Sequence, residues 1–139
     1  MLKEAYGVKR LIVRSGRIDL RYGIDKLCVL IRRECGLNPM EKGTLFLFCG
    51  RRNDRIKALI FEGDGFVLLT KRLVKGKTFK WPRNGSNALE FTADEYFRLM
   101  DGMEVEASKK VTKSMEASIT GVDMSDKNDT VVNECSIAE

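Results

Sequence analysis

Four cationic side chains crowd one predicted turn of the chain, in the stretch "GRRNDRIK", residues 50–57. They are Arg51, Arg52, Arg55 and Lys57. A solvated turn requires polar residues, but it does not require this density of positive charge. Arginine holds phosphate oxygens through a planar fork of N–H donors, and lysine adds a compact point charge. The turn is therefore predicted to bind an anion, and a phosphate backbone is the ligand that fits this chemistry.

Further cations and two aromatic residues follow in the next predicted strands. Lys71 and Arg72 end an apolar run, and Lys80 stands between Phe79 and Trp81. We expect these three cations to extend the phosphate-binding surface. Trp81 is a candidate for stacking on a sugar or base, as aromatic residues do in sheets that bind nucleic acid. The alternative, that both aromatic residues belong to the core, stays open at this point.

Catalytic chemistry has little support in the composition. The chain contains no histidine, so a Ser-His-Asp triad or a histidine-containing zinc site is excluded. The four cysteines are irregularly spaced and lack a C-x-x-C pair. A metal-dependent nuclease would require converging carboxylates, for which Asp19, Asp54 and Asp64 are the candidates. We expect a non-catalytic protein without metal or cofactor, and keep this nuclease as the less favoured alternative.

Charge is distributed unevenly along the 139 residues. Residues 1–102 contain 21 Lys and Arg against 12 Asp and Glu, whereas residues 103–139 contain 4 against 8, which gives net charges of +9 and −4. A body with this charge attracts polyanions. The sequence shows neither a secretory leader nor an apolar run long enough to span a membrane. These features predict a cytoplasmic protein with reduced thiols and no membrane partner.

The N-terminal part is predicted to form a strand followed by a helix. Alternation at Leu11 and Val13 predicts a short strand that stops at a Ser15-Gly16 turn. Asp19 is the expected N-cap of a helix, because apolar residues recur at three- and four-residue steps from position 20 to 35. Gly36 is expected to end that helix.

The middle of the chain contains four short runs rich in apolar and aromatic residues: "TLFLFCG", "RIKALIFEG", "GFVLLTKRL" and "KTFKWP". They predict an antiparallel meander. Asn53-Asp54 is the expected first connection, and Asp64-Gly65 is the expected second hairpin loop. A two-residue loop at Asp64-Gly65 would place Lys57 opposite Arg72, a like-charge pair that an anion would stabilise.

A fifth strand is predicted at "ALEFT", and Thr92 with Glu95 forms a capping box for the helix "ADEYFRLMDGM". Phe97, Leu99 and Met100 are its expected apolar side. The predicted fold is α+β: an antiparallel meander of about five to six strands packed against an N-terminal helix, with a short C-terminal helix. Residues 1–103 form the expected single domain, and residues 104–139 are expected to be an acidic, disordered tail.

Three segments together resemble a known family. They are "DLRYGIDKL" (19–27), "LFLFCGRRNDRIKALIFEGDGFVLLTKRL" (45–73) and "KWP" (80–82). Their order and spacing are similar to the accessory protein of insertion sequence 66 elements, often labelled TnpB or Orf2, over residues 10–103. This family differs from the RNA-guided nucleases that share the TnpB label.

The resemblance implies a protein of a bacterial mobile element, encoded beside a separate transposase and required for efficient transposition. Carried over by position, it adds Arg21 to the candidate phosphate-binding residues. Tyr22 stands where the family usually has Lys, and Ile60 where an aromatic is common. Asn53 replaces the usual Gly, and the turn stays feasible because Asn tolerates left-handed backbone.

The basic residues support two hypotheses about function. The preferred hypothesis is a DNA-binding accessory factor that contacts phosphates near the element ends and assists the transposase. The alternative is a protein–protein adaptor whose basic surface docks the transposase without touching DNA. The sequence leaves open the oligomeric state, the sequence specificity of DNA binding and the role of the acidic tail.

Overall fold

The computed structural model describes residues 7–83, 87–107 and 109–111. In chain order the elements are β1 (Arg10–Ile18), α1 (Ile24–Leu30) continued by a π-helical turn (Ile31–Cys35), β2 (Thr44–Gly50), β3 (Arg55–Phe61), β4 (Phe66–Arg72), β5 (Ala88–Phe91), α2 (Ala93–Met100) and β6 (Lys109–Val111). The strands form one six-stranded sheet in the order β4-β3-β2-β1-β5-β6. The α+β class is confirmed.

The sheet is mixed, which corrects the predicted all-antiparallel meander. β1 pairs with β2 in parallel, and the other neighbouring strands are antiparallel. Parallel neighbours need a crossover connection, and α1 supplies it. The first helix therefore lies after β1 rather than at the N-terminus of the fold. A periodicity pattern locates a helix in the chain but does not specify which strands it connects.

Each face of the sheet carries one helix. α1 packs on one face with Leu27 and Ile31 over Phe46, and α2 packs on the other with Tyr96 and Leu99. We call these the α1 face and the α2 face. The strand between them is buried on both sides, since every residue of β2 is buried. A central strand covered on both faces reads as a continuous apolar run, and "TLFLFCG" is such a run.

Two local predictions for the N-terminal part are wrong. β1 continues through Ser15-Gly16 to Ile18, because Gly16 adopts a φ of 80° at an irregularity in the β1–β2 register and no turn forms there. Asp19 does not cap α1, whose N-cap is Gly23 without a side-chain hydrogen bond. The predicted end of the helix is confirmed, because Gly36 adopts the left-handed conformation with a φ of 70°.

The β3–β4 hairpin has a two-residue loop, but it is Gly63-Asp64 rather than Asp64-Gly65. Glu62 donates its backbone N–H to the carbonyl of Gly65 over 2.8 Å. Gly63 takes the positive φ, 98°, at the first loop position, where glycine is preferred. The register shifts by two residues, so Lys57 lies opposite Thr70. The predicted Lys57–Arg72 pair is therefore wrong.

The segment "KTFKWP" is not a strand, which corrects a further prediction. It is extended chain that crosses the α2 face, where Phe79 and Trp81 are buried. Its backbone makes single bonds rather than a ladder: Phe79 donates to Asn53 in the turn after β2, and Gly16 of β1 donates to Pro82. Alternating apolar residues also occur in chain that covers a sheet, and periodicity does not distinguish the two cases.

The second helix agrees with the sequence at its start. Thr92 accepts from the backbone N–H of Glu95, and the Glu95 carboxylate accepts from the backbone N–H of Thr92. The capping box is confirmed, and so is the strand before it. The helix ends at Met100, and Phe97 is 40% exposed while Tyr96 is buried, so Phe97 was wrongly assigned to the apolar side.

The ordered fold extends beyond residue 103. Val105 is buried, and Lys109–Val111 pairs with β5 as the sixth strand. The predicted disorder is therefore wrong for Lys109–Val111, and for residues 112–139 it lies outside the described residues. Within the described part of the chain, no helix has the length and apolar character needed to cross a membrane.

Candidate functional site

The topology gathers several chain ends at one end of the sheet. β1 and β2 finish there because they are parallel, whereas β3 starts there and β4 finishes there because each is antiparallel to its neighbour. The chain after β4 stays at this end, since Leu73 donates to Asp54 and Phe79 donates to Asn53. We call this region the basic end, after its cations: Arg17, Arg21, Arg51, Arg52, Arg55, Lys71, Arg72, Lys75, Lys77 and Lys80.

The turn between β2 and β3 holds the two central arginines. Asn53 adopts a φ of 61° and donates its backbone N–H to Gly50 over 3.1 Å, so the chain reverses within residues 51–54. The prediction of left-handed backbone at Asn53 is confirmed. Arg51 and Arg52 lie at the outside of the turn, and both are exposed.

A second loop, residues 19–21, packs beside this turn. The Leu20 side chain lies so close to Gly50 that a Cβ built there would approach Leu20 Cδ1 to 2.8 Å. Arg17 donates from Nη1 to the carbonyl of Arg51 over 2.9 Å. These contacts hold the loop against the turn and explain why glycine ends β2.

The loop contains an ion pair that the sequence did not indicate. Asp19 accepts from the backbone N–H of Arg21 over 3.0 Å and from its Nη2 over 2.7 Å. These hydrogen bonds, together with the charge of Arg51, hold the pKa of Asp19 well below its usual range. Asp19 thus stays ionised and balances Arg21, although the Arg21 side chain is 90% exposed.

An open groove of about 530 Å³ lies between the turn and the loop. Its lining joins predicted phosphate-binding residues to the apolar floor and two carboxylates: Arg21, Arg51, Arg52, Arg55, Ile18, Leu20, Gly50, Asp19 and Asp54. Four arginines face two aspartates, so the lining carries a net charge of +2. Because Asp19 is engaged by Arg21, the other three arginines face Asp54 alone. A lining with this charge favours an anionic ligand.

Arg55 and Arg72 face each other on neighbouring strands. They are paired in the β3–β4 register, lie on the α1 face and are both exposed. Like charges in this position destabilise a sheet by a few tenths of a kcal/mol up to about 1 kcal/mol. Among the described residues, neither arginine has a carboxylate partner. An anion between them would remove the repulsion.

The remaining predicted cations differ in where they lie and in whether their side chains are free to bind a ligand. Lys57 is half-buried and donates from Nζ to the carbonyl of Tyr22 over 3.0 Å, so it fixes the chain just before α1. Lys71 lies on the α2 face, because it alternates with Arg72 along β4. Lys80 is exposed on the extended segment that covers the same face. The groove brings Arg21, Arg51, Arg52 and Arg55 together, and Arg72 lies opposite Arg55. Lys57 is engaged in the fold, and the other two lysines lie on the α2 face of the basic end.

Trp81 is not available for stacking. It is 5% exposed, meets Phe79 edge-on with ring centroids 6.3 Å apart, and donates from Nε1 to the carbonyl of Arg14 over 2.8 Å. The predicted stacking role is therefore wrong, and the alternative of a core position is correct. The indole anchors the extended segment to β1, as a buried tryptophan with a bonded N–H does.

The three candidate carboxylates of a nuclease do not converge. Asp54 precedes β3 and Asp64 follows it, and a seven-residue strand spans roughly 20 Å. Only Asp19 and Asp54 share the groove. Over the ranges that the structure covers, no group of three or more Cys, Asp or Glu is placed to hold a metal ion. The fold therefore does not bring Asp19, Asp54 and Asp64 together.

The sequence did not single out Arg17 as a contributor to the basic end, where it lies on β1 and bonds to the Arg51 turn. Lys75 and Lys77, which the sequence placed in the same row of cations, are exposed in the loop after β4. For Arg17 no local signal existed, because only the parallel pairing of β1 with β2 brings it to the Arg51 turn.

Known proteins are similar to most of this chain. A family model described as IS66 Orf2 like protein matches residues 9–110. The uncharacterized protein y4hO of Sinorhizobium fredii (strain NBRC 101917 / NGR234) is 32% identical over 95 residues, which is 68% of this chain and 81% of that protein. The uncharacterized protein y4jC of the same strain is 30% identical over 95 residues, which is 68% of this chain and 80% of that protein.

No solved structure matches the chain with significance. The family match covers β1 to the middle of β6 and therefore includes every element of the basic end. The chain thus belongs to the IS66 Orf2-like family, and this membership implies an accessory role in an insertion sequence.

Proposed function

We propose that the protein is a DNA-binding accessory factor that contacts phosphates near the ends of an insertion sequence and assists the separate transposase of the element. One observation supports this proposal most directly: exposed arginines from three separate segments lie at one end of the sheet. The segments are the loop 19–21, the turn 51–54 with the start of β3, and the end of β4. Family membership supports the transposition context.

The residue types suit a nucleic-acid backbone. Arg51 and Arg52 stand in the turn before β3 and Arg55 begins that strand, so that all three line the same groove. The guanidinium fork binds two phosphate oxygens at once, and it remains charged at every physiological pH. With Trp81 buried, the proposed contacts are to phosphates rather than to bases, which predicts affinity with little sequence preference.

The proposed role is not catalytic. The chain has no histidine, and the carboxylates of the groove are only Asp19 and Asp54. Asp19 is bound to Arg21, which leaves it a poor general base because its pKa is lowered. The arrangement supports binding and positioning of a polyanion.

The test is a fluorescence-anisotropy titration of the full chain with labelled duplex DNA at several salt concentrations. If about six phosphates are neutralised, log affinity should fall against log salt with a slope of about −5. Arg52→Glu should weaken binding strongly. Lys9→Glu is the matched control, since Lys9 is exposed at the opposite end of β1 and the change in net charge is the same. A flat salt dependence, or equal losses in the two variants, would contradict the proposal.

A second candidate function has one observation in its favour. Val74 is 67% exposed within the loop that carries Lys75 and Lys77. Phosphates do not require an exposed apolar side chain, whereas a protein partner would bury it. This observation favours the adaptor that docks the transposase through the basic end.

The two candidates differ in a pull-down of the transposase with nuclease-treated protein. Loss of the transposase after nuclease treatment supports DNA bridging, and retention supports the adaptor. Val74→Ser sharpens the comparison, because it should weaken a protein contact and leave the salt slope for DNA unchanged. Thr78→Ala, in the same loop at an exposed position, is the control.

A further inference from the structure

The two edges of the sheet differ in how they are protected. β6 has three residues, two of which are the exposed lysines Lys109 and Lys110. β4 at the other edge has seven residues, and from Phe66 to Thr70 it contains no charge, glycine or proline. Short or charged edge strands resist pairing with another chain, whereas long apolar ones promote it. Among the described residues, β3 is the sole strand paired with β4.

The hydrogen-bonding groups on the open side of β4 follow from the hairpin register. Glu62 and Gly65 share a backbone hydrogen bond, so hydrogen-bonded and non-hydrogen-bonded pairs alternate from there along β3 and β4. Phe66, Leu68 and Thr70 belong to non-hydrogen-bonded pairs with β3. Their N–H and C=O groups therefore point to the open edge.

The sequence around β4 is complementary to itself in the antiparallel direction. The carboxylate Asp64 precedes the strand and the cations Lys71 and Arg72 end it, with four apolar residues, Phe66–Leu69, between them. If two copies pair about Leu68, Phe66 of one lies opposite Thr70 of the other, and Asp64 lies opposite Arg72. This register also matches the outward-pointing backbone groups with one another, which a shift by one residue would not do.

We infer that a second copy of this chain pairs with the open edge of β4, antiparallel and centred on Leu68, to form a continuous sheet across a two-fold axis. The arrangement adds about six backbone hydrogen bonds and brings the half-buried Val67 and Leu69 of each copy together. Ion pairs between Asp64 and Arg72 close both ends of the contact. The two-fold axis points the two basic ends in opposite directions.

The contact is of the weak, reversible class, because a strand edge buries little surface compared with an obligate dimer. Each Asp64–Arg72 pair is exposed, so it selects the register more than it supplies affinity. The inference does not depend on the proposed function, since the pairing requires no DNA and uses the side edge of the sheet rather than the groove.

The test is sedimentation equilibrium of the full chain without DNA over a range of concentrations. We expect a concentration-dependent dimer. Asp64→Arg and Arg72→Asp should each weaken it by about tenfold, since each places like charges opposite one another twice in the dimer. The double variant Asp64→Arg/Arg72→Asp should restore the dimer. Asp101→Arg, which makes the same charge change at an exposed position on the α2 side, is the control.

Thr70→Pro provides an independent test of the backbone pairing. Thr70 is exposed and its N–H does not bond to β3, so proline should preserve the monomer fold, checked by circular dichroism, and abolish the dimer. A chain that stays monomeric up to about 1 mM overturns the inference, because that limit is already a very weak contact. A dimer that the charge swap does not restore, or that Thr70→Pro leaves unchanged, also overturns it.

Discussion

The two ends of the sheet use arginine in opposite ways. At the start of β1, Arg10 lies between Glu41 and Glu90, with N···O distances of 2.9 Å and 3.0 Å, and Lys109 approaches Glu90 to 3.8 Å. We call this group the paired end. At the basic end, Arg51, Arg52, Arg55 and Arg72 have no carboxylate partner among the described residues, and Arg21 alone is paired.

The difference shows which charges serve the fold. Arg10 joins β1 to β5 and to the loop before β2. Its bonds to Glu90 and Glu41 raise its pKa, and Arg10 in turn lowers the pKa of Glu90. Each charge there stabilises the ionised form of the other. At the basic end the arrangement is unfavourable for the isolated protein, because Arg55 and Arg72 repel each other across two strands. Charges that lower stability when alone are candidates for binding a ligand.

The largest expected effect is on DNA affinity, which should depend on the cations of the basic end and not on those of the paired end. Replacing Arg51, Arg52 and Arg55 together by alanine should make the slope of log affinity against log salt about 3 units shallower, because each lost phosphate contact removes roughly 0.9. Anisotropy titrations against salt measure it. Lys9→Ala with Lys42→Ala, both exposed at the paired end, should leave the slope unchanged. An equal change in both proteins would show that net charge, rather than its location, controls binding.

The next effect is on stability, which should depend on the paired end, whereas DNA affinity should not. Arg10→Ala should lower the free energy of unfolding by about 1 kcal/mol, a value reduced because the side chain is about a third exposed. Urea denaturation measures the change. DNA affinity should stay as in the wild type. A variant with full stability and weakened DNA binding would remove the distinction between the two ends.

A smaller effect follows from the lowered pKa of Glu90. The pKa of this carboxyl in the folded protein lies below its unfolded value of about 4.5. The ionised carboxylate therefore stabilises the fold at pH values above about 4.5, and this contribution is lost as the pH falls through the folded pKa. The wild type should therefore exceed Glu90→Gln in stability at pH 7, and the gap should close below pH 4.5. Thermal unfolding at several pH values measures it. A gap that persists in acid would exclude the ion pair as its cause.

The smallest expected effect tests the repulsion at the basic end. Arg55→Thr should raise the free energy of unfolding by a few tenths of a kcal/mol at low salt, since it removes the like-charge pair with Arg72 and keeps a residue suited to strands. The gain should shrink in 1 M salt, where the Debye length is about 3 Å. Urea denaturation at both salt concentrations measures it, with Lys9→Thr as control. A gain that does not depend on salt would point to strand propensity instead of charge.

Local features of the fold were predictable from neighbouring residues. The capping box of Thr92 and Glu95, the helix end at Gly36 and the left-handed turn residue Asn53 all depend on contacts within about four positions. The buried run "TLFLFCG" was recognisable as a strand for the same reason. The turn at residues 51–54 was also predicted correctly, and its charge density is a property of consecutive residues.

The register of the β3–β4 hairpin was missed although it is local, because Gly63 and Gly65 both tolerate a positive φ and Gly63 is the one that adopts it. Features that depend on partners distant in the chain were also not predictable. Trp81 looked available for stacking, yet its N–H bonds to Arg14, 67 positions away. Alternating apolar residues suit a strand as well as a covering segment, so no pattern in "KTFKWP" distinguished the two.

By itself, the sequence determined that this protein carries an excess of cations in short segments, that these segments flank apolar strands, and that it resembles the IS66 Orf2-like family. Only the tertiary structure decided which cations meet. The parallel pairing of β1 with β2 brings the loop of Arg21 beside the turn of Arg51, and strand alternation sends Lys71 to the other face. Charge and periodicity are properties of consecutive residues, whereas convergence of side chains depends on strand order, which is set by packing across the whole sheet.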